Sequence, residues 1–127
     1  MSSDDLKFAP LDPSRHKRDA FSCGVVALDR YFRQLASQDQ RRSAARVFVA
    51  LEGNDVAGFY TLAASSIELV ELPPNVIRKL PKYPKVPCAL IGRLAVDLKF
   101  RGRGVGDALL ADAVSRVLHA SSEIAIT

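Results

Sequence analysis

The run GRLAVDLKFRGRGVGDALL, Gly92 to Leu110, constrains this chain more than any other stretch. Leu90 to Val96 is short, mostly apolar and of strand length. Lys99 to Gly106 (KFRGRGVG) is a loop that is both basic and rich in glycine. From Asp107 the apolar residues recur with helical period. A helix opening on such a loop leaves the N–H groups of its first turn unpaired and pointed forward. Its dipole favours negative charge there, and glycine lets a ligand approach the backbone closely. Strand, basic glycine loop and helix together make a seat for phosphate. Gly102, Gly104 and Gly106 within five residues would be a poor choice for helix entry alone.

Spacing narrows the kind of phosphate. A P-loop needs G-x-x-x-x-G-K-[ST], and no Lys-Ser or Lys-Thr follows these glycines. A dinucleotide fingerprint, G-x-G-x-x-G, needs its third glycine at 107 or 109, where Asp107 and Leu109 stand. The pattern present is R-x-x-G-x-G, at Arg101, Gly104 and Gly106. It resembles the acetyl-CoA pyrophosphate loop of the GNAT N-acetyltransferases, which also lies between a strand and a helix.

The 127 residues suit one domain with one core. Hydrophobic content of 48% with 25% charged residues is an ordinary soluble balance, and no apolar run reaches membrane-spanning length. MSSDDLKF carries no secretory pattern, and Cys23 and Cys88 make no disulfide framework, so a reducing cytoplasm is the expected compartment. No metal is expected, since neither cysteine has a C-x-x-C partner and His16 and His119 lack ligand spacing. Net charge is +4. Positive residues gather at Arg15, Lys17, Arg18, Arg30, Arg33, Arg41, Arg42 and Arg46, and again from Arg78 to Arg103. Such clustering fits either a polyanionic partner or a solvated basic surface.

Along the chain, Leu6 to Leu11 reads as an edge strand. Ser22 is placed to cap a helix with Val25, Leu28, Phe32 and Leu35 on one face, and Ala36 to Ala45 continues it as helix or loop. RVFVAL (Arg46 to Leu51) and VAGFYTLAA (Val56 to Ala64) form a hairpin across Glu52 to Asp55. Ile67 to Leu72 reads as a short third strand, and Val76 to Leu80 as a helical turn inside the proline-rich stretch Pro73 to Pro87. Cys88 to Asp97 is the central strand of the opening stretch. The next helix, Asp107 to His119, should bury Leu110, Ala113, Val114, Val117 and Leu118. Ser121-Ser122 should break it, with Glu123 to Ile126 opening another strand and closing a right-handed β-α-β unit. The order predicts an α+β domain with a mixed, mostly antiparallel sheet flanked by helices. This is the GNAT order up to the start of its fifth strand.

FSCG (Phe21 to Gly24), LDRYF (Leu28 to Phe32), QDQRR (Gln38 to Arg42), RVFVAL, GFYTLAA, KLPKYPKVP and the opening stretch together resemble a narrower group, the GNAT toxins of toxin–antitoxin pairs. The resemblance implies acetyl-CoA as donor and the α-amino group of an aminoacyl-tRNA as acceptor, so that translation stops. It also implies a homodimer and a ribbon-helix-helix antitoxin. Family members continue into a segment bearing a tyrosine that protonates the leaving thiolate. Tyr31, Tyr60 and Tyr83 match other positions, so the chain reads as a single GNAT domain, 1–127, without that C-terminal helix and strands, and no catalytic residue is assigned.

Carried over by the resemblance, the backbone of Leu94, Ala95 and Val96 pairs with the pantetheine arm and orients the thioester. Arg101, Gly102, Arg103, Gly104, Val105 and Gly106 hold the pyrophosphate, with the two arginines supplying charge-assisted contacts. Arg15, Lys17, Arg18, Arg33, Arg41, Arg42, Arg78, Lys79 and Arg93 are the tRNA candidates. Asp97 is read as a strand-end cap. Two other readings stand beside the toxin: an inactive remnant that binds CoA or an antitoxin, and a nucleic-acid-binding module whose glycine loop meets backbone phosphate.

Overall fold

RVFVALE is β-branched and apolar, and its residues alternate between two buried faces. In the computed structural model, which describes residues 6–68 and 85–126, it forms the second of four strands. These are β1 (Lys7–Pro10), β2 (Arg46–Glu52), β3 (Asp55–Glu68) and β4 (Lys85–Val96). They lie in the order β1-β2-β3-β4, each antiparallel to its neighbour. The expected hairpin is present, turning at Gly53 with φ +59°. The strand expected from Ile67 begins as the continuation of β3, and residues 69–84, including Val76 to Leu80, lie outside the described residues.

Helices cover both faces. On one side run α1 (Val26–Arg30), one π-helical turn (Tyr31–Leu35) and α2 (Ala36–Arg41), so helix continues where either helix or loop was expected. The π turn inserts an extra residue into the repeat. Of the predicted face, Phe32 is buried and Leu28 packs against the core as expected, while Val25 and Leu35 are about half exposed and Tyr31 and Ala36 are buried instead. Ser22 does not cap the helix: no side chain caps it, and the Ser22 hydroxyl instead donates to Asp29. Phe59 of β3 is the hub of this core. Its ring stacks on Phe32 at 4.3 Å and meets Phe21 edge-on at 5.6 Å.

The other face is covered by α3 (Val105–Ile126). Here Phe48, Ala50 and Tyr60 of the sheet pack with Val105, Leu109 and Ala113. The sequence offers α3 two apolar stripes at four-residue spacing; the structure buries the one through Val105, Leu109 and Ala113, of which only Ala113 was expected to be buried. Leu110, Val114 and Leu118 stay exposed at 47%, 47% and 62%; of the predicted face, Ala113 is buried and Val117 half-buried. Gly58 explains the choice. A Cβ there would sit 2.8 Å from a Leu109 methyl and 2.7 Å from the Ala95 carbonyl oxygen, so its absence lets Leu109 lie directly on the sheet. We expect Gly58→Ala to cost about 1–3 kcal/mol, because a backbone oxygen cannot step aside as a side chain can. The check is the urea midpoint, falling with an unchanged slope.

Tyr60 ties the sheet to α3. Its hydroxyl donates to Asp112 Oδ2 at 2.5 Å, and Arg116 Nε donates to the same oxygen at 2.8 Å. Burial, reinforced by that carboxylate, pushes the Tyr60 pKa well above its ordinary value. α3 runs on through Ser121-Ser122 to Ile126, so the expected break and following strand are absent, and with them the closing β-α-β unit. Serine costs a helix only a few tenths of a kcal/mol, and neither glycine nor proline stands there to stop it. Among the described residues no helix is long and apolar enough to cross a membrane.

Candidate cofactor-binding site

β4 leads into the site and is irregular where it does so. Thr61 pairs with Arg93 and Leu62 with Ile91, so Gly92 is the extra residue of a β-bulge. The Arg93 amide donates to Thr61 Oγ1 at 3.1 Å, and a Cβ on Gly92 would meet that same oxygen at 3.1 Å. Beyond the bulge the pleat sends Leu94 and Val96 toward the α3 core and Ala95 into the α1 core. Their side chains are therefore structural. β4 is also the last strand of the described sheet, so its outer edge carries unpaired backbone groups.

Asp97 ends the strand, as read from the sequence. It is buried, its Oδ1 accepts from the Lys99 amide at 2.9 Å, and it thereby caps a short 3-10 turn over Leu98–Phe100. Phe100 is buried, and so is Val105, the first residue of α3. The four residues between them are exposed. Gly102 and Gly104 both take φ +76°, and no atom lies within 4 Å of where a Cβ would be on either. The loop is thus pinned at both ends and open in the middle. The Gly104 carbonyl accepts from Ala108 N at 3.0 Å, which leaves the amides of Val105, Gly106 and Asp107 without an intrahelical acceptor. α3 therefore begins two residues before the expected Asp107. Val105 and Gly106 are helix rather than loop, and Gly106 lies over Val96. Open space, left-handed backbone and unpaired helix-start amides lie within six residues of one another, the features an anion seat requires.

The two arginines of the loop both have partners within the fold. Arg101 Nη2 donates to the Cys23 carbonyl at 3.1 Å, and the Arg103 guanidinium lies 5.4 Å from the centre of the Phe100 ring. The tRNA candidates separate into groups. Arg15 and Lys17 share with Lys99 a cavity of about 570 Å³, also lined by Asp19, Asp55 and Asp97. Arg18 Nη1 donates to the Phe32 carbonyl at 2.7 Å, and Arg33 donates to that of Phe21, so both tie the fold together. The Arg93 guanidinium carbon lies over Tyr31, 3.7 Å from the ring centre. Burial and a 2.8 Å bond to Asp39 push that tyrosine's pKa up to about 12. Arg41 and Arg42 are exposed at the end of α2, while Arg78 and Lys79 lie outside the described residues.

Sequence reasoning missed Thr61, Gly58 and Asp29. A glycine inside a strand pattern is a signal of close backbone approach, and Gly58 and Gly92 both carried it. Nothing in the sequence distinguishes Asp29, a buried carboxylate that accepts from the Cys23 amide at 2.8 Å. Burial works to raise its pKa, but the Cys23 and Ser22 donors outweigh that and hold it below the ordinary aspartate value. Asp29 therefore favours the fold at pH above that value, and the contribution is lost as pH falls below it.

Comparison with known proteins agrees with this geometry. The model of the acetyltransferase (GNAT) family matches residues 14–125. The probable toxin TacT of Sinorhizobium fredii is 36% identical over 119 residues, covering 92% of this chain and 66% of that protein. A tRNA-acetylating toxin of Mycobacterium tuberculosis is 39% identical over 107 residues, covering 84% and 63%. The chain thus spans just under two thirds of the length of these relatives. Among solved structures, AtaT complexed with acetyl-methionyl-tRNAfMet superposes with a TM-score of 0.85 at 28% identity, over 94% of this chain and 72% of that one. AtaTR bound with AcCoA does so with a TM-score of 0.80 at 31% identity, over the same shares. Because the family match spans β2, β3, the bulged β4, the glycine loop and nearly all of α3, the chain belongs to the acetyltransferase (GNAT) family.

Proposed function

We propose that this chain carries the acetyl-CoA-binding half of a toxin that acetylates the α-amino group of aminoacyl-tRNA. The observation that carries the reading is the cradle itself, with Gly102 and Gly104 left-handed beneath open space and the first amides of α3 free. The GNAT family match supports acetyl transfer, and the similarity to toxins bound to AcCoA and to acetylated tRNA supports this donor and this acceptor.

The amides of Gly104, Val105 and Gly106 hold the pyrophosphate. The free edge of β4 over Leu94–Val96 pairs with the pantetheine arm and orients the carbonyl through its N–H groups. Acetyl-CoA, when bound, supplies the activated acetyl thioester. The exposed arginines and lysines, above all Arg15, Lys17 and Lys99 around their shared cavity, meet the tRNA backbone as charge. An acetylated α-amine has lost the nucleophile that peptide-bond formation needs, so translation stops. The partners of this reading are aminoacyl-tRNA, a second copy of the chain and a ribbon-helix-helix antitoxin, all in the cytoplasm.

The test is transfer of label from acetyl-CoA. Radioactivity should appear on aminoacyl-tRNA and not on deacylated tRNA. Transfer at background, with acetyl-CoA still bound, would leave a CoA-binding chain without turnover and sink the enzymatic reading for this form.

A further inference from the structure

The FSCG segment belongs to no helix or strand, yet the amides and carbonyls of its first three residues are all hydrogen-bonded, the Phe21 amide to the Arg18 carbonyl at 3.1 Å. The Phe21 carbonyl accepts from Arg33, the Ser22 amide donates to Asp97 Oδ2 at 3.2 Å, and the Ser22 carbonyl accepts from Leu98 N at 2.8 Å. The Cys23 amide donates to Asp29 Oδ1, and the Cys23 carbonyl accepts from Arg101 Nη2. Three of these partners, Asp97, Leu98 and Arg101, come from the segment that enters the glycine loop. Gly24 follows at φ +89°, and a Cβ on it would lie 3.3 Å from that same Arg101 nitrogen. The strap and the loop are thus built against each other, with the Arg101 guanidinium as the last link before Gly102.

We infer that Arg101 is a positioning residue, which fixes the phosphate loop through the Cys23 carbonyl rather than by touching pyrophosphate. The inference rests on the acetyl-CoA reading above and reassigns one residue within it. Arg101 Nη2 is taken by the Cys23 carbonyl, whereas phosphate recognition by arginine uses its donors in a paired fork. What the arginine contributes is then geometry: it holds Gly102 and Gly104 in the left-handed region that opens the cradle. Gly24 is part of the same device: at φ +89° a side chain would be strained, and its Cβ would press on the guanidinium at 3.3 Å.

The experiment is a calorimetric titration of acetyl-CoA, repeated from about 50 to 500 mM salt, with wild type, Arg101→Ala, Gly24→Ala and the double variant. Each single variant should weaken binding roughly 10-fold while keeping the wild-type salt dependence, and the double variant should lose little more than either alone. A flattened salt dependence in Arg101→Ala, or losses that multiply in the double variant, overturns the inference in favour of a phosphate contact. If Gly24→Ala does not fold, the salt dependence of Arg101→Ala decides alone. A readout without ligand accompanies it: both substitutions should shift the amide resonances of Gly102 and Gly104 in the free protein. Unmoved glycine amides in both variants contradict positioning. Absence of wild-type binding at millimolar acetyl-CoA would instead remove the parent reading.

Discussion

Phe59→Ala should lower the unfolding free energy by about 3–5 kcal/mol, the range for losing a large aromatic from a core that cannot collapse. Phe59 is fully buried, and Phe21 and Phe32 sit against its ring while also touching each other at 4.7 Å. No single neighbour can move into the void without leaving another contact. The neighbours are also tied by their backbones, since the Phe21 and Phe32 carbonyls accept from Arg33 and Arg18. Leu118→Ala is the matching control. At 62% exposure its loss should stay within about 0.5 kcal/mol. Urea unfolding followed by circular dichroism measures both. A Phe59→Ala loss below about 1 kcal/mol would mean that the aromatic cluster does not hold the α1 side of the sheet.

Gly104→Glu should abolish acetyl-CoA binding, with an affinity loss of at least roughly 100-fold, or about 3 kcal/mol. Two effects add. A side chain at φ +76° strains the turn by about 1–2 kcal/mol. A carboxylate is also placed in the open space where the free amides and the helix dipole would otherwise meet phosphate. The turn at Gly53 separates the two effects, because it too is left-handed with open space above it but lies far along the chain from the loop. Gly53→Glu should show comparable strain in its melting temperature and an unchanged affinity. Equal loss of affinity in both variants would show that general destabilisation, not the cradle, is being read.

The sheet, the hairpin and the glycine loop were legible because each has a local cause. RVFVAL and VAGFYTLAA alternate on a pleat, EGND turns, and the loop glycines Gly102 and Gly104 take positive φ. Registers within helices were not. The π turn at Tyr31–Leu35 depends on fitting Tyr31 and Phe32 together against Phe59, and α3's buried stripe depends on a glycine about fifty residues upstream, Gly58. The continuous α3 was missed for a related reason. A serine pair is a weak stop signal, and local propensity alone does not decide it. Charge was the least legible feature. Arg18, Arg33, Arg93 and Arg101 looked like a ligand surface, but each has a carbonyl or an aromatic ring as its partner within the fold.

The central claim is that the cradle between Phe100 and Val105 seats the pyrophosphate of acetyl-CoA. Amide-resolved spectroscopy during a titration of the intact chain tests it where it applies. Saturable shifts should appear at Gly104, Val105 and Gly106 and along Leu94 to Val96, and they should be lost in Gly104→Glu. Shifts confined to the Arg15, Lys17 and Lys99 cavity, or none at millimolar ligand, would contradict it.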